Sequence, residues 1–216
     1  MLRGSAIGVR FTVLLAAAIV AVGPATASPP PLGLGSHGPR VRAVQVRLAD
    51  LGYLPAGAVD GVFGMRTWHA VVAFQGWQRL ERTGLVSLGT RSALATANRP
   101  RPWARRGRAL ELDLRRQVLL VVAGGRTVRA VHVSSARPGY GTPRGAFHVY
   151  RRERLSWSVR YQVWMPYALY FSGRYAVHGY GDVPAYAASH GCVRVPLSEA
   201  PFVYAATPLR TPVLVR

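Results

Sequence analysis

Apolar residues first recur at helical spacing in Val41, Val44, Leu48 and Leu51, which predicts one amphipathic helix over Val41–Leu51. The turn-rich run AGAVDGVFGMRT follows. Thr67 is then read as the N-cap of a second helix with Ala70, Val71, Phe74 and Trp77 on one face. Thr90 is read as the cap of a short third helix through Leu94 and Ala97. Three short helices in about sixty residues make a small bundle, near the lower size limit for independent folding. Beyond residue 108 the pattern changes. ALELDL and QVLLVVA read as strands, and Gly124-Gly125 fits a tight turn into RTVRAVHVSS. Further strands are expected at Ala146–Arg151, Val159–Trp164, Ala168–Phe171 and Tyr175–Val177, with TPVLVR last. SEAPFVYAAT predicts one short helix with Pro201 in its first turn. Strands without long helices between them imply an antiparallel sandwich or barrel. The fold class expected is therefore multidomain, a small three-helix bundle followed by a mainly-β sandwich.

Composition divides the chain further. NRPRPWARRGR is basic and proline-containing, so residues 98–107 are expected to link a helical domain (37–97) to a β domain (108–216). Residues 28–36 form a Pro/Gly-rich lead-in. At the N-terminus, Arg3 and Arg10 precede an apolar stretch from Phe11 to Val22 and then Ala25-Thr26-Ala27, the pattern of a cleaved signal peptide over residues 1–27. The stretch is shorter than the ~20 residues a membrane span needs, and no later segment is apolar enough, so the mature protein is expected outside the cytoplasm with no transmembrane segment.

All 28 basic residues are arginines, against 8 acids. Residues 1–27 hold two of the arginines and no acid, so their removal lowers the formal net charge from +20 to +18. Such a charge implies anionic surroundings. With export expected, a wall polymer or lipid headgroup fits better than nucleic acid, and an ordinary solvated arginine surface is the alternative.

The chemistry-bearing residues crowd into HGYGDVPAYAASHGCVRVP, residues 178–196, which contains the sole cysteine. An exported chain with one cysteine can close no internal disulfide, so Cys192 is either an inert small hydrophobe or a reactive thiol. A histidine activates a thiol by taking its proton or by forming an ion pair, and His178 and His190 are both candidates. On one extended strand His190 and Cys192 would share a face. Gly191 permits close backbone approach and Arg194 can hold a carboxylate, or pair with an acid of its own domain. A zinc site from His178, His190, Cys192 and Asp182 has plausible ligand types but no recognisable spacing. Papain-like enzymes have cysteine before base, the reverse of this order, and sortases separate the two much farther. His132 and His148 lie in strand-like runs and are assigned no chemistry.

VRAVQVRLADLGYL, VDGVFGMRT, AVVAFQ and GTRSAL resemble the peptidoglycan-binding domain 1 family over residues 37–97, departing at Thr83-Gly84 where Asp-Gly is common. Gln45, Asp60 and Gln75 are expected there as turn and packing residues. SHGCVRV with the upstream HG resembles the L,D-transpeptidase (YkuD-like) catalytic family, supported by LELDLRRQVLLVV, GYGTPRGAFHVY and MPYALYF before YAVHGY, over about residues 108–216. The resemblance implies a β-sandwich with Cys192 as nucleophile, His178 as general base, and the Gly179 carbonyl orienting that base where some relatives have serine. It implies that Ser189, His190 and the Gly191-Cys192 amides shape the oxyanion site, and that Arg194 holds substrate. The implied reaction needs no cofactor and no metal: a thioester forms with the third residue of a peptidoglycan stem peptide, D-alanine leaves, and an amine of a second stem accepts the acyl group. Water as acceptor gives L,D-carboxypeptidase activity, and a non-enzymatic wall-binding protein is the further alternative. The expected partners are stem peptides and wall polymer, not nucleic acid, in a secreted or cell-wall location.

Overall fold

The computed structural model describes Met1 and residues 29–216, so the expected signal peptide falls, apart from Met1, outside the described residues. Within them, α1 (Pro39–Asp50), α2 (Met65–Gln78) and α3 (Leu88–Thr96) come first, with a 3-10 turn at Ala56–Ala58. Both expected threonine caps are displaced inward. Gly64 caps α2 and Ser87 caps α3, its hydroxyl accepting the Thr90 N–H at 3.4 Å. Thr67 and Thr90 instead sit one turn inside, buried, because each accepts a hydrogen bond from a buried glutamine. Gln45 Nε2 reaches Thr67 Oγ1 at 3.0 Å, and Gln75 Nε2 reaches Thr90 Oγ1 at 3.2 Å.

The two glutamines do the same work on two turns. Gln45 Oε1 accepts from Gly61 N at 2.7 Å, and Gln75 Oε1 from Gly84 N at 2.9 Å. Asp60 Oδ1 accepts from Val62 N, and Thr83 Oγ1 accepts from Leu85 N. A hydroxyl thus serves at Thr83 where the first turn has a carboxylate. Gln45, Asp60 and Gln75 are turn and packing residues, as the sequence suggests, with the buried amides satisfied inside the fold.

The strands form two sheets. The first runs β3 (Arg126–His132), β2 (Val118–Ala123), β1 (Arg108–Asp113), β9 (Pro212–Val215), β4 (Gly145–His148). The second runs β5 (Arg151–Ser158), β6 (Val163–Ser172), β7 (Tyr175–Tyr180), β8 (Val193–Pro196), and α4 (Ala200–Ala206) separates β8 from β9. Both sheets are mixed, because β1 pairs with β9 and β7 with β8 in parallel, which corrects the antiparallel expectation. The second parallel pair positions the site. Parallel neighbours need a crossover of roughly a dozen residues where an antiparallel pair needs only a tight turn. Here the crossover is residues 181–192, the cysteine-bearing loop.

Two expected strands are redrawn. Ala146–Arg151 divides between β4 and β5 in different sheets, with Val149 buried at the step. Val159–Trp164 contains the turn between β5 and β6, whose register closes at Ser158 opposite Val163. The charged RRERLSWS forms β5 because it is an edge strand with mostly solvent-facing side chains.

β2 is apolar without alternation because both its faces are covered. Leu119 and Val121 join the core between the sheets, with Leu110, Leu169, Val177 and Val193. Val118, Leu120 and Val122 join Val41, Leu48 and Phe74 of the helices in one continuous core, to which Ala109 and Ala130 also belong. The molecule is therefore three layers deep, and the helical half has no core separate from the first sheet. Residues 98–107 have no regular secondary structure but are pinned. Glu111, 1 % exposed, accepts from Trp103 N and Ala104 N at 2.8 and 2.6 Å. Arg99 bonds the carbonyls of Asp50 and Thr127, one on each side of the junction.

Candidate active site

His178 lies on β7 opposite Arg194 on β8, and Cys192 immediately precedes β8. His178 and Cys192 both line a cavity of 150 Å³, together with Ser189, His190 and Arg194. Cys192 and His190 also open onto a wider cleft of 370 Å³ walled by Tyr140, Trp157, Tyr161 and Tyr175. The chain thus brings the sequence-predicted residues to one place.

His178 is buried, and its Nδ1 lies 2.9 Å from the Gly179 carbonyl oxygen. The carbonyl can only accept, so Nδ1 carries the proton and Nε2 is left as the basic nitrogen. Burial holds the imidazole down at about 4; the Gly179 bond acts in the opposite direction, and the Arg194 charge adds to the depression. Burial also raises the Cys192 thiol above its ordinary value, with the Ala176 backbone and Arg194 acting the other way. The Cys192 thiol lies 3.7 Å from the Arg174 carbonyl oxygen, and burial favours the neutral form of both thiol and imidazole near pH 7, which speaks against a preformed ion pair.

Gly179 has a packing reason. A Cβ there would stand 2.9 Å from Ala200 Cβ and 3.2 Å from the Pro166 carbonyl, so α4 occupies the space a serine would need. Gly191 is constrained more severely, with φ +132° and Tyr175 Cε1 only 2.4 Å from a built Cβ.

Residues 189–192 are not a strand, so His190 and Cys192 do not share a strand face, a correction that follows from the turn at Gly191. The Gly191 N–H is also committed, donating to Ser189 Oγ at 3.0 Å. Ser189 Oγ in turn donates to the Cys192 carbonyl, so this serine braces the loop. His190 stacks on Tyr161 with ring centroids 4.6 Å apart and meets Tyr140 edge-on at 4.8 Å. Desolvation, then Arg137, Arg194 and Arg160, hold its imidazole below the usual range. The Arg194 guanidinium lies 4.2 Å over the Tyr180 ring and makes no salt bridge among the described residues, which removes the reading of an internal ion pair. Among the described residues, His178, His190, Cys192 and Asp182 do not gather into a metal-ligand cluster.

Sequence reasoning missed the parts that support the loop. Thr142 Oγ1 donates to the Gly191 carbonyl at 2.8 Å, and the Tyr140 and Tyr161 rings that enclose His190 come from two loops far apart in the chain. Only GYGTPRG, quoted for its resemblance, carried a signal for the first of these. His132, assigned no chemistry, is buried at the junction of the halves, held by Val183 O at 2.9 Å and Arg82 Nη2 at 2.7 Å.

A two-sheet fold with a buried histidine and a cysteine on one cavity holds the residue types that a cysteine-centred group-transfer or hydrolytic site needs. The comparisons narrow it. Residues 107–215 match the model of the L,D-transpeptidase catalytic domain, YkuD, and residues 37–94 match that of a putative peptidoglycan binding domain. The chain belongs to the YkuD family of L,D-transpeptidase catalytic domains. An L,D-transpeptidase from Xylanimonas cellulosilytica is 38% identical with a TM-score of 0.83, covering 89% of this chain and 100% of that one. An L,D-transpeptidase from Stackebrandtia nassauensis shares the fold at 24% identity and TM-score 0.54, covering 86% of this chain and 94% of that one. A search of curated proteins finds no match.

Proposed function

We propose that this protein is a secreted cell-wall L,D-transpeptidase in which Cys192 carries the acyl group. The observation that supports this most directly is the placement on one small cavity of a thiol and a buried imidazole whose Nδ1 is fixed on a carbonyl and whose Nε2 makes no hydrogen bond among the described residues. The Cys192 sulfur attacks the carbonyl carbon of the third residue of a stem peptide as its proton passes to His178 Nε2. The S–C bond forms, the tetrahedral intermediate collapses, and the C–N bond to the terminal D-alanine breaks. The departing nitrogen takes the proton from His178, leaving a neutral imidazole and a thioester. An amine of a second stem then attacks the thioester carbonyl, giving a proton to Nε2, and the Cys192 sulfur leaves and is reprotonated. Water in place of the amine gives the carboxypeptidase outcome from the same intermediate.

Since the Gly191 amide is engaged by Ser189, the oxyanion falls to the Cys192 N–H and His190, with Gly191 setting the loop's shape. Arg194 makes no salt bridge among the described residues and supplies the charge for a stem carboxylate. Residues 1–27 direct export, and residues 37–97 hold the wall polymer. The test is incubation with a disaccharide tetrapeptide and mass analysis of the products. Release of D-alanine with formation of a stem dimer supports the proposal; unchanged dimer formation by Cys192→Ala overturns it.

A further inference from the structure

At the joint between the helical half and the first sheet lies a cavity of 680 Å³ whose wall is dominated by arginine. Arg79 and Arg82 come from the end of α2 and the segment after it, Arg115 and Arg116 from the β1–β2 turn, and Arg144 and Arg216 from the edge beyond. The one acidic side chain among the lining residues is Asp113, already 3.0 Å from Arg116 Nη1. Among the described residues, the other five make no salt bridge, and the side chains of Arg79, Arg115 and Arg144 make no hydrogen bond. Two guanidiniums are set by aromatic faces, Arg116 at 4.6 Å over Trp77 and Arg216 at 4.2 Å over Trp103.

Like charges gathered around a concave, partly desolvated space repel one another and focus a positive field into it. Arg82 is itself buried, which brings its guanidinium down to about 10, and among the described residues its Nε is buried without a partner. Stacked or unattached guanidinium forks present N–H groups suited to oxyanions. We propose that this junction cavity is an anion-binding site, separate from the cysteine cleft, for a phosphate-bearing polymer. An occupant must bring several negative charges into one small space, and linked phosphates place them more densely than carboxylates spaced along a peptide. Position gives the site a use. Arg144 also borders a hollow of 270 Å³ whose wall includes Tyr140, and Tyr140 borders the Cys192 cleft. The junction cavity is thus linked to the Cys192 cleft through the hollow that Arg144 and Tyr140 share.

The experiment is calorimetric titration of the full chain with tripolyphosphate at about 0.15 M ionic strength, where screening beyond about 8 Å suppresses diffuse attraction. Citrate is titrated in parallel. The variants are Arg115→Gln with Arg144→Gln, which are exposed and uncommitted, and the charge-matched control Arg40→Gln with Arg154→Gln, away from the cavity. The expected result is one saturable tripolyphosphate site, weakened about tenfold or more in the cavity variant and unchanged in the control. Equal weakening in both variants would assign binding to net charge. Citrate binding as tightly would overturn the choice of phosphate, and absence of a saturable site would overturn the proposal altogether.

Discussion

His178 and His132 are built alike and do different things. Each is a buried strand histidine with one ring nitrogen 2.9 Å from a backbone carbonyl, Gly179 for the first and Val183 for the second. Burial depresses both, to about 4 and about 3. The difference is the other nitrogen. In His132 it accepts from Arg82 at 2.7 Å, with His69 stacked on the ring and Trp68 edge-on, whereas in His178 it makes no hydrogen bond among the described residues and its ring lines the Cys192 cavity. A histidine with both nitrogens satisfied is a structural joint; one with a nitrogen left over can move a proton.

Substitution should separate the two. His178→Ala is expected to lower kcat by about 100-fold or more, the usual scale for losing a general base, while leaving circular dichroism and wall attachment close to native. Retention of kcat in that variant would mean that His178 is a second joint. His132→Ala should reverse the pattern. Arg82 and the Val183 carbonyl lose a partner, so denaturant unfolding should show a loss of about 1–3 kcal/mol, with turnover near native under conditions where the variant is folded. A large fall in kcat without a stability change would break the comparison from the other side.

Acid should act on both histidines and on His69, which burial also holds at about 4. Between about 6.5 and 4 the unfolded chain binds protons that the folded chain refuses. Stability is therefore present above about 6.5 and falls as pH drops toward 4, and a thermal melt series should show Tm declining over that window. Within the folded population, the acid limb of kcat/KM should lie well below the ordinary histidine range. A limb at about 6.5 would show that His178 is not held neutral by burial.

The sequence showed the residues of the site better than their arrangement. His178, Cys192 and Arg194 are legible because chemistry requires those residue types, and the helices because their apolar spacing reports one covered face. β5 was hidden because RRERLSWS is an edge strand with little to bury, and the turn at Val159–Gln162 because its apolar residues face a cleft instead of a core. The engagement of the Gly191 amide by Ser189 was hidden because its direction depends on φ and on that hydroxyl, neither of which has a sequence period. The shared core was hidden too, since the unbroken apolar run of β2 says that both faces are covered without saying that one cover is α-helical. Each Val or Leu of that face gains roughly 1.5–3 kcal/mol from burial, so residues 108–216 alone should be less stable than the whole.

The central claim is that Cys192 takes the acyl group from a stem peptide with His178 as its base. Incubation of the protein with a disaccharide tetrapeptide, acid quenching and intact-mass spectrometry should reveal an adduct equal to the donor less D-alanine, mapped to the segment containing Cys192. It should be absent in Cys192→Ala and slow to form in His178→Ala. The same adduct on another residue, or D-alanine release at the native rate by Cys192→Ala, would contradict the claim.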